Sequence, residues 1–277
     1  MSTTTVTEFQ RTVWSASFIR SLAEITSLRN HCDFTYEKDA NNAKEIKILS
    51  VNRPTIRKYV PGTPIDREHL NDSSHTLSLN QYHYFNFDLD DVIKAQSIPG
   101  AMELATDEAS RGLALEGDKY VAEIVKAGVT DGTIEASDVT TITNKNAMES
   151  VDKGFAALYK NNCKPTDTFY LELAPDVYVN YRQQLTEVST NNPEILKKGA
   201  VGKINNALVC IENCLPSDEA AHYNILRTSK AIAFAEQVDK IEHYRPHDGF
   251  EDAIKGLYVF GAKVVRPKEI YVMKTAK

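Results

Sequence analysis

The 277-residue chain has no long apolar run: none approaches the roughly 18 uninterrupted apolar residues of a membrane helix. Its mean hydropathy is −0.37. It has no basic excess either. Lys and Arg number 32 against 38 Asp and Glu, a net charge of −6. That balance reads against a dedicated nucleic-acid binder. The opening Met1-Ser-Thr-Thr-Thr-Val-Thr-Glu8 has neither a basic n-region nor an apolar h-region, so no signal peptide is expected. Glycine is scarce, at 12 residues. Gly-x-Gly-x-x-Gly, Walker and Gly-x-Ser-x-Gly sequences are absent. The charged fraction of 25% and hydrophobic fraction of 42% are those of an ordinary soluble globular protein.

Metal and thiol chemistry find little support. Of the four cysteines only Cys210 and Cys214 are close, as Cys-Ile-Glu-Asn-Cys, and no second Cys or His pair lies near them. Within Ala207-Leu-Val-Cys-Ile211, Cys210 reads as a small core residue. Unpaired cysteines imply synthesis in a reducing cytosol. His243 and His247 have helical ligand spacing, but Pro246 would break that helix and no Glu follows His243. His31, His69, His75, His83 and His222 are scattered. Glu103, Asp107 and Asp118 read as a solvated helix face rather than an acid–base site. No catalytic, metal or cofactor-binding residue is assigned, and no cofactor is expected.

The apolar pattern gives the elements. Trp14, Phe18, Leu22, Ile25 and Leu28 recur at three- and four-residue spacing, one face of an amphipathic helix. That face packs either on the chain's own core or on a neighbouring subunit. Strand-like runs cover 45–51 and 54–60, and Pro61-Gly-Thr-Pro64 forms a turn. From His75 to Leu89 the chain alternates, with Leu77, Leu79, Phe85, Phe87 and Leu89 on one parity. Read as one strand, these fifteen residues reach roughly 50 Å. A hairpin so long, with one modest apolar face, needs cover from elsewhere.

A long helix is expected over 99–127, with Met102, Ala105, Ala109, Leu113, Tyr120 and Ile124 as its stripe and Gly128 as its C-cap. A helix against a sheet fits better than a coiled coil, because the heptad lapses at Glu116-Gly117. Further helices are expected over 146–161 and after Pro175. Strands are expected at 168–173, 207–215 (buried) and 256–267, the last continuing through 269–273, while 224–235 and 238–244 read as strand-like or mixed. Residues 186–206 read as loop.

The order of these blocks resembles one family. A Trp-led helix precedes a charged hairpin that runs through Leu77-Ser-Leu-Asn-Gln-Tyr-His-Tyr-Phe-Asn-Phe-Asp-Leu-Asp-Asp91 into a long helix. The chain closes on Phe250-Glu-Asp-Ala-Ile-Lys-Gly-Leu-Tyr-Val-Phe-Gly-Ala-Lys-Val-Val-Arg-Pro267. This arrangement is similar to the major capsid proteins of tailed bacteriophages, with the HK97-type fold. The resemblance spans about Val13 to Met273 and is weakest over 130–220.

The resemblance implies an α+β, HK97-like capsid fold. It would comprise an N-terminal arm and helix (1–44), an extended β-hairpin loop (45–89) and a peripheral domain with a long spine helix (90–129). An axial domain (130–230) follows, and strands (231–277) return to the peripheral sheet and end near the axial domain. It implies a structural, non-enzymatic subunit that self-assembles into hexamers and pentamers of an icosahedral shell. That shell would enclose double-stranded DNA without sequence-specific binding and without a membrane. Implied partners are a separate scaffolding protein, a portal and decoration proteins. The protein would be made in the bacterial host cytoplasm and reside in the virion. The alternative is an encapsulin-like nanocompartment shell enclosing a cargo enzyme. Expected subunit-contact residues are Phe18 and Leu22 on the arm, and Arg53, Arg57, Lys58, Arg67 and Glu68 on the hairpin. Some members cross-link a Lys to an Asn. Lys58 lies in the corresponding loop, although a solvated or ion-paired Lys is commoner in an exposed strand.

Overall fold

The structure is a computed structural model. It describes residues 28–36, 44–51, 72–90, 101–143, 145–187, 202–247 and 251–277, with positions 56, 58, 67 and 249. Expectations for the Trp14 helix, the 54–60 strand and the Asp90–Pro99 helix entry therefore lie largely outside the described residues.

Among the described residues the strands form three sheets. A hairpin pairs β1 (Glu45–Val51) with β2 (Asp72–Ser78). A three-stranded antiparallel sheet has β10 (Glu251–Val264) between β3 (Gln81–Asp90) and β9 (Ile232–Tyr244). A six-stranded sheet has the order β4-β11-β8-β5-β7-β6. Its members are β4 (Glu135–Ala136), β5 (Phe169–Leu173), β6 (Lys203–Ile204), β7 (Ala207–Ile211), β8 (Ala221–Thr228) and β11 (Ile270–Ala276). Among the described residues there are three α-helices, α1 (Ala101–Thr130), α2 (Ala147–Lys160) and α3 (Pro175–Glu187); α1 and α2 pack on the sheets and α3 packs on α2.

The run from His75 to Leu89 is two strands rather than one. It breaks at Leu79-Asn80, where the Leu79 N–H donates to the Lys44 carbonyl at 3.0 Å and closes the hairpin. The following strand, β3, joins a different sheet. Likewise, 269–273 does not continue β10: a 3-10 turn at Pro267–Glu269 intervenes, and β11 joins the six-stranded sheet.

The helix α1 lies against β10 and β3, as an amphipathic helix should. Its buried face differs from the expected stripe. Thr106, Ser110, Leu113, Ala114, Asp118, Val121, Ala122 and Val125 are buried, whereas Ala105 is exposed. Small and polar residues thus share the contact face. Gly128 is not the cap. The helix runs on to Thr130, and Gly132, at φ +72°, makes the left-handed turn that ends it. The Thr133 and Ile134 N–H groups return to the Gly128 carbonyl, both at 3.0 Å.

The strand expected over 207–215 ends at Ile211 and is only partly buried, with Leu208 and Ile211 exposed. It is entered from β6 through Asn205-Asn206, both at positive φ (44° and 76°), a two-residue hairpin turn that Asn tolerates. The helix α2 buries Val151, Phe155 and Leu158 in the main core.

Candidate functional site

Two features stand out: a hairpin seated on the outer face of the three-stranded sheet, and a buried charge cluster on its inner face. Cross-strand register separates the faces. The inner set, Phe234, Tyr258 and Phe260, belongs to the main core that α1 shares. The outer set meets the hairpin. Ile46, Ile48, Leu77 and Leu79 pack there against Ala233, Ala235 and Val259. Backbone approaches backbone closely at this seat. A Cβ on Gly261 would run into the Ser78 carbonyl oxygen, so only glycine fits.

Beyond the hairpin base the outer face is open. Tyr82 and Tyr84 are 57% and 78% exposed, and Asn86 and Asp88 share their parity. Lys255 pairs with Glu242 at 2.9 Å, and Tyr244 donates to Asn86 at 3.0 Å. A shallow pocket of about 420 Å³ lies along this sheet, lined by Tyr84, Asn86, Glu242, Lys255 and Leu257 among others. Between β1 and β2 the described positions Ile56, Lys58 and Arg67 are exposed, Ile56 to 83%. Of the expected contact residues, Lys58 and Arg67 are thus on the surface. Phe18, Leu22, Arg53, Arg57 and Glu68 lie outside the described residues.

The charge cluster surrounds the 3-10 turn Arg29–His31, which follows the first 27 residues. Arg227 on β8 and Glu172 on β5 are both fully buried. The Arg227 Nε donates to both Glu172 oxygens at 3.1 Å, and Nη2 donates to Oε1 at 2.7 Å. The guanidinium also donates to the Leu28 carbonyl at 2.7 Å and the His31 carbonyl at 3.3 Å. Burial alone would raise the Glu172 carboxyl, but Arg227 and His31 outweigh it and hold it below its ordinary range.

Arg29 makes the second half. Its backbone N–H donates to Asp118 of α1 at 2.8 Å. Its Nη1 reaches Glu236 of β9 at 2.7 Å and the Tyr258 hydroxyl of β10 at 2.9 Å. Tyr258 in turn donates to Glu236 at 2.5 Å. Asp118 is therefore a buried acceptor, not a member of a solvated helix face. One short segment ties α1, the three-stranded sheet and the six-stranded sheet together.

His31 stacks on Tyr170 at 3.9 Å. Its Nδ1 lies 3.1 Å from Glu172, and its Nε2 lies 3.7 Å from the Cys210 sulfur. Thiol, imidazole and carboxylate in series have the order of a nucleophile, base and orienter. The electrostatics oppose that use. Burial, with Glu172 and Glu212 nearby, pushes the Cys210 thiol up to about 11, and Arg227 already neutralises Glu172. The thiol therefore stays protonated and lies within hydrogen-bond reach of the imidazole. Cys210 is thus half-buried and hydrogen-bonded rather than a plain core residue.

The sequence reading missed this cluster. Its one local signal was a charge inside a strand apolar on both sides: Glu172 between Leu171 and Leu173, and Arg227 after Ile225-Leu226. Among the described residues no group of three or more His, Cys, Asp or Glu could hold a metal ion. No described helix is long and apolar enough to cross a membrane.

No protein-family model matches the chain, and no curated protein matches it. Solved structures do. One from Mycobacterium phage Che8 superposes with a TM-score of 0.76 at 22% identity, over 90% of each chain. The capsid structure of cyanophage P-SCSP1u gives 0.67 at 14% identity, over 86% of this chain and 85% of the other. A virus-like particle from Pyrococcus furiosus gives 0.60 at 14% identity, over 97% and 99%. The chain is α+β and has the HK97-type capsid fold that its block order implied.

Proposed function

We propose that the chain is the major capsid subunit of a tailed bacteriophage, assembling with itself into the icosahedral shell around the phage DNA. The observation that carries this reading is the match along about nine-tenths of the chain to phage structures, several of them capsids. The hairpin supports it, since its described distal residues Ile56, Lys58 and Arg67 are exposed. The role is structural: weak contacts are multiplied by symmetry.

In this reading residues 1–44 are the arm, and the extended loop is the hairpin of β1 and β2, shorter than the 45–89 that the resemblance implied. The sheet β3-β10-β9 with α1 serves as the peripheral domain. The six-stranded sheet with α2 and α3 serves as the axial domain. The arm's Phe18 and Leu22 and the hairpin's Arg53, Arg57, Lys58, Arg67 and Glu68 contact neighbouring subunits. A separate scaffolding protein guides assembly, a portal occupies one vertex and decoration proteins bind outside. The subunit is made in the host cytoplasm and ends in the virion.

The test is electron microscopy of purified protein, with and without co-expressed scaffold. Uniform shells are expected. A strict monomer at high concentration in both conditions would sink the proposal. Deleting 55–68 should leave folded subunits that form no shells. The nearly full-length match to the Pyrococcus furiosus virus-like particle favours a second reading, a cargo-enclosing nanocompartment. Particle content decides between them: packaged DNA supports the capsid, a single protein cargo the compartment.

A further inference from the structure

The strand β3 is nearly palindromic in chemistry about Asn86. Phe85 and Phe87 flank that residue, and Tyr84 and Asp88 lie two positions away on either side. Among the described strands β3 has one hydrogen-bonded neighbour, β10, and it ends the sheet on its other side. It runs for ten residues, long beside the about five or six usual for a strand. Folded proteins shield sheet edges with Lys, Pro, bulges or shortness. The run Gln81–Asp90 contains no Lys, Arg, Pro or Gly. Its even-numbered residues share the outer face, where Tyr82, Tyr84, Asn86 and Asp88 are all exposed. The rings of Phe85 and Phe87 stack at 5.7 Å on the other face.

We propose that β3 is a self-complementary edge, pairing antiparallel with β3 of a second copy across a twofold axis at Asn86. Two three-stranded sheets then become one sheet. An axis perpendicular to the sheet keeps each face on its own side, so residues equally far from Asn86 meet each other. Asn86 meets Asn86, an amide that both donates and accepts. Within the subunit its oxygen accepts from Tyr244 at 3.0 Å, which orients the amide towards the edge. The Tyr84 hydroxyl, a donor, lies across from the Asp88 carboxylate, an acceptor, and symmetry repeats that pair. Phe85 lies across from Phe87, an aromatic cross-strand pair. Moving the axis to Asp88 would set two carboxylates face to face, so the charge pattern selects the register. The contact goes beyond the shell reading, in which it would occupy a twofold axis, and it holds or fails without that reading.

Disulfide trapping tests the pairing and its register. Directly opposite residues of an antiparallel pair have Cα atoms about 4.5–5.5 Å apart, within disulfide reach. Asn86→Cys therefore links to its own mate when oxidised glutathione is added. Tyr84→Cys does not, because its mate lies four positions along the strand, about 13 Å away. Tyr84→Cys/Asp88→Cys links again, position 84 of one copy to position 88 of the other. Wild type, oxidised alongside, controls for the four native cysteines. Linked dimer is read on non-reducing gels, for concentrated unassembled subunits and for sedimenting particles, and folding by the thermal transition. Asn86→Cys and the double variant should each give at least about fivefold more dimer than Tyr84→Cys or wild type. The double variant leaves Asn86 in place, so it decides the matter where Asn86→Cys weakens the fold. No excess dimer from the double variant in either fraction overturns the pairing, and so does equal linking by Tyr84→Cys. Wild type that forms no shells while the linking persists overturns the shell reading alone.

Discussion

Replacing Glu172 by Gln is the sharpest perturbation of the arm-root cluster. It keeps the shape and removes the charge, leaving the fully buried Arg227 guanidinium without its counter-ion. Breaking a buried pair from one side costs about 3–5 kcal/mol, a large part of a total stability on the order of 5–15 kcal/mol. Arg227→Met costs as much by a different route. It strands the Glu172 carboxylate and removes the donors to the Leu28 and His31 carbonyls. Combining Glu172→Gln with Arg227→Met removes both charges, so its cost falls short of the sum of the single changes by at least about 1 kcal/mol.

The assay is urea unfolding of unassembled subunits. It has a pH arm. The Glu172 carboxyl is held below its ordinary value of 4.5. A depressed carboxyl contributes stability above that value and loses it as pH falls through the folded value. Wild type therefore loses stability on acidification below about pH 4.5, and Glu172→Gln, already weaker, has a flatter profile there. Single changes costing under about 1 kcal/mol, or a fully additive double change, would refute the buried pairing.

Other outcomes follow from single positions. Gly261→Ala drives a Cβ into the Ser78 carbonyl, so the hairpin base lifts at a cost of about 1–3 kcal/mol; limited proteolysis between residues 52 and 71 should accelerate. Gly132→Ala forces a side chain onto φ +72° at the end of α1, costing about 1 kcal/mol in thermal unfolding. Cys210, held at about 11, should alkylate slowly at neutral pH and faster as pH rises towards that value. Mass spectrometry of its peptide reads the rate, and rapid labelling near neutrality would contradict the protonated-thiol arrangement.

The helices α2 and α3 and the strands β5 and β10 were legible because their signals are local: three- and four-residue spacing, a proline at the first helical position, β-rich runs. The break at Leu79-Asn80 was not, for a physical reason. Leu77 and Leu79 face the outer surface of the sheet, while Phe85 packs against the main core. Odd-numbered side chains find apolar cover on both sides of the break, so alternation persists although the strands belong to different sheets. The capping of α1 misled similarly. Gly128 is a plausible cap by position, but its missing side chain makes room for Ile134, and the turn falls four residues later. The cluster around Arg29–His31 was invisible because it joins residues as far as 229 positions apart.

That the arm root is held by charge rather than grease has a consequence for assembly. Apolar packing is non-directional and tolerates repacking. A guanidinium bonded to a carboxylate and two carbonyls fixes position and angle together. Arg227 grips the segment from the six-stranded sheet, and Asp118, Glu236 and Tyr258 grip Arg29 from the other side. Leu28 and the turn Arg29–His31 are therefore held at one point and in one orientation. In the shell proposed for this chain each contact is repeated under symmetry, so a segment fixed this way is presented alike in each copy. The buried charges cost desolvation, and a well-packed apolar substitute would often be as stable. What they provide that an apolar substitute would not is one defined placement for the turn Arg29–His31 between the two sheets.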